Sequence, residues 1–216
     1  MKQFAVIGLG RFGAEVCRAL ARKGHEVLGI DKDSHIVELI AGDITHAVTL
    51  DATDVEALKN VGIRNFDCAV VSVGEELEAS VLITLNLKEL GVEKVVAKAN
   101  DDVHARILRK VGADVVVFPE KEMAARLAEN LVCSHVLDCI DLGPEFALLE
   151  LTPGEDMRGK SLGQLGFRQR FGVNVVAVRS DGQLDVSPQA DRIIRDGDIL
   201  VVVGSKNQMK NLEKHI

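Results

Sequence analysis

The sequence predicts an α/β fold, a Rossmann-like doubly wound parallel sheet followed by a small C-terminal α+β lobe, and three observations support this prediction. Apolar runs alternate regularly with helical patterns from Phe4 to Val117. The first run leads directly into the motif Gly8-Leu9-Gly10-Arg11-Phe12-Gly13. After Asp141 the alternation ends. Strands that alternate with helices over short connections form parallel βαβ units, and a doubly wound sheet binds its ligand at the carboxyl ends of its strands.

Strands and their connecting helices account for the first part of the chain. The six strands are predicted at residues 4–7, 27–30, 47–50, 68–73, 95–99 and 115–118. Thr53-x-x-Glu56 has the spacing of a capping box that would start the third helix, and Asp101 or Asp102 is expected to cap a later one. The glycine motif falls between the first strand and the first helix, which is where this fold places its phosphate-binding loop.

A long helical pattern begins after the sixth strand. Proline suits the first turn of a helix and acidic residues suit its N-terminal end, so Pro119-Glu120-Lys121-Glu122 is expected to open a helix that runs to about Leu137. This helix has no further strand of the same unit to return to. We therefore predict a nucleotide-binding domain at residues 1–119, a connector or interface helix at 120–140 and a small α+β lobe at 141–216.

The C-terminal lobe has a different pattern, in which strands are joined by turns. A capping box at Ser161 opens a short helix that ends near Gly172, and Ser205 caps the last helix. Asp181-Gly182 and Asp196-Gly197 are typical of hairpin turns. The three strands are predicted at residues 146–151, 173–178 and 199–203. Because a lobe this small buries little apolar surface, we expect it to be stabilised by self-association.

The composition argues against several classes of protein. The net charge is −7, and an acidic chain without a stripe of lysine and arginine is not expected to bind nucleic acid. The apolar runs are too short for a membrane helix and no signal peptide is predicted, so we expect a cytoplasmic protein. The cysteines lack the spacing of a metal or redox site and are expected to be buried in a reducing cytosol: Cys17, Cys68, Cys133 and Cys139.

The glycine motif predicts a phosphate site. One glycine permits a tight turn, one lets a phosphate approach bare backbone, and Gly13 lets the helix pack closely on the strand. The free N–H groups at the start of the helix attract an anion. Arg11 lies in the first helical turn, where a cation opposes the helix dipole. It is either an exposed arginine that tolerates this cost or a source of charge for a phosphate chain.

Further candidate residues follow the predicted strands. Asp31 ends the second strand, where a carboxylate accepts ribose hydroxyls and repels a 2′-phosphate, or is simply a loop acid. Lys32 meets a phosphate or is merely exposed. The segments Asp51-Ala52-Thr53 and Ser72-Val73-Gly74 border the cleft, or serve only as turns and caps. Lys98 interrupts an apolar strand, so it needs an anionic partner, which a phosphate or an acid in the cleft would provide.

The sequence favours a regulator over an enzyme. A dehydrogenase needs a proton donor or acceptor beside the nicotinamide. The chain has no tyrosine, its small lobe has one histidine near the C-terminus, and no Ser/His/Asp set is recognisable. The histidines also lack zinc-site spacing. We expect a protein that converts ligand occupancy into a change of shape, and we keep an NAD(H)-binding oxidoreductase, or an NAD-sensing regulator, as the alternative.

The chain resembles the RCK family, the cytosolic domains that regulate potassium conductance, and within it the regulatory subunits of bacterial Ktr-type potassium uptake systems. The resemblance covers almost the whole chain, including the small lobe, which resembles the RCK C-terminal domain. The segments that carry it are 6–13, 23–27, 45–48, 62–66, 87–90, 119–121 and 193–195.

The resemblance implies a homodimer that assembles into a cytosolic octameric ring under a membrane potassium-translocating subunit. It implies ATP and ADP as competing ligands, with ATP favouring the active state and with Arg11 sensing the terminal phosphate, partly across a subunit interface. The nucleotide-binding positions that it implies are Gly8, Gly10, Arg11, Phe12, Gly13, Asp31, Lys32, Asp51, Ala52, Gly74 and Lys98.

Two further sites are implied by the resemblance. Glu120, which by itself reads as a first-turn helix acid, matches a position that contributes to a cation site at the dimer interface. Holding Ca²⁺ or Mg²⁺ there would need a second carboxylate from the paired subunit. Some members bind cyclic di-AMP in the C-terminal dimer cleft, although valine stands at position 173 where some of them have a polar residue. The matching positions, which otherwise read as ordinary surface residues, are Leu162, Arg168, Asn174 and Pro188.

Overall fold

The computed structural model describes residues 1–74, 76–132 and 136–215, with the backbone alone for residues 129, 130, 132, 136 and 141. The chain divides into two compact units, Met1–Lys121 and Glu122–Ile216. No helix among the described residues is long and apolar enough to cross a membrane.

The first unit is a six-stranded parallel sheet, as the sequence predicted. Its strands are ordered β3-β2-β1-β4-β5-β6. The order reverses between β1 and β4, and a doubly wound sheet binds its ligand at such a point. In chain order the elements are β1 (Gln3–Ile7), α1 (Arg11–Arg22), β2 (Glu26–Asp31), α2 (Ser34–Ile40), β3 (His46–Thr49), α3 (Val55–Asn60), β4 (Cys68–Val71), α4 (Leu77–Glu89), β5 (Lys94–Lys98), α5 (Asp102–Lys110) and β6 (Val115–Val117).

Helices cover both faces of this sheet because its strands are apolar on both sides. On β1, Ile7 belongs to the larger core cluster, which includes Leu58 and Leu87 of α3 and α4. Its neighbour Val6 belongs to the opposite cluster, which includes Cys17 of α1. The core therefore holds the strand ends in place on both sides.

One predicted cap differs in detail from the structure, and one is confirmed. Asp54, rather than Thr53, caps α3, and its carboxylate accepts the Glu56 N–H at 2.9 Å. The Thr53 hydroxyl instead donates to Asp51 at 2.7 Å. This aspartate is a better cap because its side chain lies one residue closer to the helix. Asp101 caps α5 by accepting the His104 N–H at 2.7 Å.

The helix after β6 is shorter than predicted. It spans Pro119–Val132 (α6), and Val136–Asp141 forms a strand, β7, that pairs with the next strand. The predicted helix end at Leu137 was therefore wrong, because the helical spacing of apolar residues continues into a segment that pairs in a sheet.

The second unit contains a five-stranded antiparallel sheet in the order β10-β9-β11-β8-β7. The remaining elements are β8 (Phe146–Leu151), α7 (Leu162–Leu165), α8 (Phe167–Phe171), β9 (Asn174–Ser180), β10 (Gln183–Val186), β11 (Ile199–Ser205) and α9 (Lys206–Glu213). The capping boxes at Ser161 and Ser205 are present. The single predicted helix is two helices, because Gly166 between them has a left-handed backbone, with φ of 57°.

The two predicted hairpin turns have different outcomes. Asp181-Gly182 joins β9 to β10 with positive φ at both residues. Asp196-Gly197 precedes β11 but is not a hairpin turn, because β11 pairs with β8 and β9 rather than with the strand before it.

The described cysteines are partly as expected. Cys17 and Cys68 are buried, whereas Cys139 is half-buried in the second unit. Burial raises the pKa of the Cys17 thiol to about 12. Cys133 lies outside the described residues.

Candidate nucleotide site

A cavity of about 810 Å³ opens at the carboxyl ends of the strands in the first unit. It lies at the reversal of strand order between β1 and β4. The lining residues are Ile7, Gly8, Gly10, Arg11, Phe12, Glu15, Ile30, Asp31, Lys32, Leu50, Asp51, Ala52, Thr53, Ser72, Val73, Gly74, Glu76, Ala79, Ile83, Lys98, Asn100 and Glu120. This described lining contains no histidine, cysteine or tyrosine.

The glycine motif forms the turn from β1 into α1. Gly8 has φ of 88°, a conformation that side chains disfavour. A Cβ at Gly13 would lie 1.9 Å from the Gly8 carbonyl oxygen, so only glycine lets α1 pack this closely. A Cβ at Gly10 would meet no atom within 4 Å. Gly10 therefore borders open space at the N-terminus of α1, where its missing side chain leaves room for a ligand.

Asp31 ties the end of β2 to this turn. Its Oδ2 accepts the Leu9 N–H at 2.7 Å and its Oδ1 accepts the Asp33 N–H at 3.0 Å. The contact with Leu9 joins the glycine turn to the next strand across 22 positions of sequence. Asp31 therefore has a structural role that sequence reasoning missed, in addition to any ligand contact.

Arg11 begins α1 and is exposed at the cavity. The first turn of this helix contains no acidic residue, and Gly10 has no side chain to cap it. No ion pair of Arg11 is found among the described residues. Its guanidinium thus adds positive charge to a helix end that is already positive, which favours an anion.

Lys98 and Glu120 form an ion pair at the cavity, with Lys98 Nζ 2.6 Å from Glu120 Oε1. The lysine side chain is 14% exposed and the glutamate side chain 69%. The hydrogen bond from Lys98 lowers the pKa of Glu120, and Arg11 contributes more weakly to the same effect. The anionic partner that Lys98 was predicted to need is therefore an acid of the cleft.

Two other charged residues of the cavity also have partners. Lys32 Nζ lies 2.6 Å from Glu76 Oε1, and both side chains are more than half exposed. Asp51 accepts hydrogen bonds from the hydroxyl and the N–H of Thr53, and these bonds lower its pKa. The cavity thus contains carboxylates as well as cations, and Arg11 is the cation that has no ion-pair partner in the described chain.

A buried polar group supports the β5–α5 side of the cavity. The Asn100 side chain donates to the Gly74 carbonyl, and the Asn100 N–H approaches His104 Nδ1 at 3.5 Å. His104 Nε2 lies 3.2 Å from the Ser80 hydroxyl, and both of these side chains are fully buried. Burial lowers the pKa of His104. Sequence reasoning missed both Asn100 and His104, although a histidine in the first turn of a predicted helix after a strand was a usable signal.

The structure brings most of the predicted nucleotide-site residues to one cavity. Ten of the eleven line it. Gly13 instead packs beneath the turn against Gly8.

The other predicted sites are less complete. Among the described residues, no group of three or more metal-ligating side chains surrounds Glu120 or any other position. In the second unit, Leu162 begins α7, and its N–H donates to the Arg192 carbonyl at 3.0 Å. Arg168 on α8 and Asn174 at the start of β9 are exposed, and Pro188 is half-buried. No side-chain hydrogen bond of the described residues joins Arg168 to Asn174.

Comparisons with known proteins agree with this architecture. The TrkA-N domain family matches residues 4–119 and the TrkA-C domain family matches residues 146–216. Ktr system potassium uptake protein C of Bacillus subtilis (strain 168) is 44% identical over 215 residues, covering 100% of this chain and 97% of the relative. Ktr system potassium uptake protein A of the same organism is 41% identical over 212 residues, covering 98% and 96%.

A solved structure extends the comparison to three dimensions. The GsuK channel bound to NAD superposes with a TM-score of 0.68 at 21% identity, covering 98% of this chain and 39% of that chain. At this level of identity the similarity shows a shared fold.

Proposed function

Because the chain belongs to the family of Ktr- and Trk-type potassium uptake regulators, which join a TrkA-N to a TrkA-C domain, we propose that it binds ATP and ADP in the cavity of its first unit. Ligand exchange there would control a membrane potassium-translocating subunit. We propose a cytoplasmic location for the chain, at the membrane through that partner.

Arg11 is the observation that carries this proposal. The Arg11 guanidinium, which has no ion-pair partner among the residues that the structure describes, stands at the N-terminus of α1, beside the open space next to Gly10. A phosphate chain would accept hydrogen bonds from the free N–H groups of the helix and neutralise the positive charge of this arginine. The terminal phosphate is the group that distinguishes ATP from ADP, so a charge-sensitive contact at Arg11 suits discrimination between them.

The part of the cavity beside the end of β2 suits a ribose. Asp31 offers carboxylate oxygens at the end of β2, and Ala52 provides a small buried surface nearby. A carboxylate at this position repels a 2′-phosphate. The proposed ligand is therefore an adenine nucleotide that lacks a phosphate on its ribose.

Gating follows from a difference in affinity. We propose that dimers of the chain form an octameric ring with at least two geometries, and that ATP and ADP favour different ones. A ligand moves such an equilibrium only to the extent that it binds one state more tightly than the other. A γ-phosphate that contacts Arg11, in part across a subunit interface, would supply this difference.

Two additional ligands are part of the proposal. Glu120, with a carboxylate of a paired subunit, would hold Ca²⁺ or Mg²⁺, because such cations need several oxygen ligands and one glutamate does not suffice. In the second unit, the proposed cyclic di-AMP site consists of Leu162, Arg168, Asn174 and Pro188, of which Arg168 and Asn174 are exposed and able to bind its phosphates.

NAD(H) is the second candidate ligand. The GsuK channel, which shares the fold, has been solved with NAD, and the position of Asp31 is compatible with an NAD ribose. An NAD-sensing regulator would bind NADH without turnover. An oxidoreductase would consume or form NADH in the presence of a substrate, which changes the NADH absorbance at 340 nm.

A ligand panel tests the proposal on full-length protein freed of bound nucleotide. Thermal unfolding and calorimetric titration are measured with ATP, ADP, NADH, NADPH and cyclic di-AMP, each with and without Ca²⁺. We expect ATP and ADP to raise the midpoint and NADPH to leave it unchanged, since only a ligand that binds the folded state stabilises it. A larger shift with NADH than with either adenine nucleotide would favour the second candidate, and no shift with any of them would refute the proposal.

A further inference from the structure

We propose that the Glu120 carboxylate competes with the phosphate groups of the ligand for Lys98. In the ligand-free protein Glu120 pairs with the Lys98 ammonium, and a bound nucleotide replaces it as the ion-pair partner of that lysine. This inference rests on the proposed nucleotide function and adds a residue that limits affinity at the same site. It differs from a cation-binding role, because it requires no metal ion.

Lys98 is fixed in its position. It is the last residue of β5, its side chain is 14% exposed, and a Cβ added at Gly74 would lie 3.5 Å from its Nζ. A lysine with so little of its side chain exposed is stabilised by an anion within hydrogen-bond distance. Glu120 provides that anion at 2.6 Å.

Glu120 is free to leave. Its side chain is 69% exposed and stands in the first turn of α6, where the helix dipole also stabilises a negative charge. Water can solvate the released carboxylate readily, whereas only 14% of the Lys98 side chain is exposed. An incoming phosphate would therefore displace the glutamate and leave the lysine where it is.

The Glu120 carboxylate lies where an anionic group of the ligand would bind. Glu120, Arg11 and Lys98 all line the cavity, and the two cations both lower the pKa of Glu120. If Glu120 stayed in place, a phosphate that reached Lys98 would be repelled by the Glu120 carboxylate, which lies 2.6 Å from Lys98 Nζ. The exchange thus replaces one anion by another, so ATP gains less from Lys98 than it would from an unpaired lysine.

The pair Lys32–Glu76 supplies a matched comparison. It has the same separation of 2.6 Å and also borders the cavity, but both of its side chains are more than half exposed. Lys32 does not depend on its partner, because water can solvate it. Removing the Glu76 carboxylate changes the charge of the cavity by the same amount, but the lysine that it releases is already well exposed.

The test compares Glu120→Gln with Glu76→Gln in full-length protein, in buffer containing EDTA so that no divalent cation is bound. Calorimetric titration gives the Kd for ATP, ADP and AMP. We expect Glu120→Gln to bind ATP about three to ten times more tightly than the wild type, with a smaller gain for ADP and none for AMP. The gain for Glu76→Gln should be smaller and independent of the number of phosphates.

A double variant links the effect to the lysine. In a Lys98→Met background, Glu120→Gln should no longer tighten ATP binding, and thermal unfolding confirms that each variant is folded. A gain that persists without Lys98, or equal gains for the two glutamate variants, would overturn the inference while leaving nucleotide binding intact. If neither the wild type nor any variant binds a nucleotide, both the proposed function and the inference about Glu120 are wrong.

Discussion

The carboxylate of Asp31 accepts the backbone N–H of Leu9 at 2.7 Å, so the acid that ends β2 also holds the glycine turn between β1 and α1. A residue predicted to bind the ribose therefore also supports the backbone turn of the proposed phosphate site. Loss of affinity on replacing Asp31 would not by itself demonstrate a ribose contact, because the turn would change as well.

The ribose contact can be separated from the structural one with a modified ligand. We predict that Asp31→Asn weakens ATP binding by about 1–3 kcal/mol and 2′-deoxy-ATP binding by about 1 kcal/mol less, because a missing hydroxyl cannot lose its acceptor. Calorimetric titration of both ligands measures the difference. Asp33→Ala is the control, since this acid caps α2 and does not line the cavity. Equal losses for the two ligands would show that Asp31 acts only on the turn.

Arg11 should affect stability and binding in opposite directions. Removing a cation from the N-terminal end of α1 should increase the free energy of unfolding of the ligand-free protein by about 0.3 kcal/mol. The same Arg11→Ala change should weaken ATP binding about tenfold and ADP binding by less, because the terminal phosphate is absent from ADP. Chemical unfolding and titration measure the two effects.

The matched control for this arginine lies on the same helix. Arg22 is exposed in the last turn of α1, where a cation is favourable, and it does not line the cavity. Arg22→Ala should lower stability by about 0.3 kcal/mol and leave the affinity for ATP unchanged. If Arg11→Ala weakened ADP binding as much as ATP binding, Arg11 would not discriminate between the two nucleotides.

The features that the sequence predicted are those with a local signal. The six strands of the first unit appear as apolar runs, and the glycine motif marks its turn by residue type and spacing. β10 was missed because all four of its residues are exposed, so it lacks the apolar alternation by which a strand is recognised. β7 was missed because its residues continue the helical spacing of the segment before it.

Contacts between distant elements were beyond such signals. The position of Lys98 in an apolar strand predicted that it has an anionic partner. The identity of that partner, Glu120, 22 positions away, depends on where α6 begins relative to β5. The same holds for the bond from Asp31 to Leu9. Residue type and periodicity show which groups need a partner, and the register of the sheet determines which partner they meet.

Adding a methyl group to the second or the third glycine of the motif should separate their roles. Gly13→Ala would place a Cβ 1.9 Å from the Gly8 carbonyl oxygen, so we expect it to destabilise the fold by about 1–3 kcal/mol or more. Gly10→Ala has space for its Cβ and a backbone that alanine tolerates, with φ of −61°. It should keep the fold and lose nucleotide affinity, because the methyl group enters the space next to the helix N-terminus.

Urea unfolding and nucleotide titration of the two variants test this separation. An unchanged stability of Gly13→Ala would mean that α1 can move away from β1 without cost. An unchanged affinity of Gly10→Ala would mean that no ligand group approaches the backbone there.

His104 should make the stability of the protein depend on pH. Burial lowers the pKa of its imidazole in the folded state, and the nearby Asp101 opposes this effect only in part. Above the ordinary histidine pKa of about 6.5 the ring is neutral in both states, so its contribution is complete there. As the pH falls below that value, the unfolded chain takes up a proton that the folded chain excludes, and the free energy of unfolding decreases by up to about 1.4 kcal/mol per pH unit until the folded pKa is reached.

Urea unfolding of the wild type and of His104→Gln between pH 7.5 and pH 5 measures this contribution. The variant should be less stable at pH 7.5, because the contact with the buried Ser80 hydroxyl is altered, and its stability should fall less steeply with acid. His35→Gln, at an exposed position of α2, is the control and should keep the slope of the wild type. Parallel curves for the wild type and His104→Gln would show that the buried imidazole takes up its proton in the folded state as readily as in the unfolded chain.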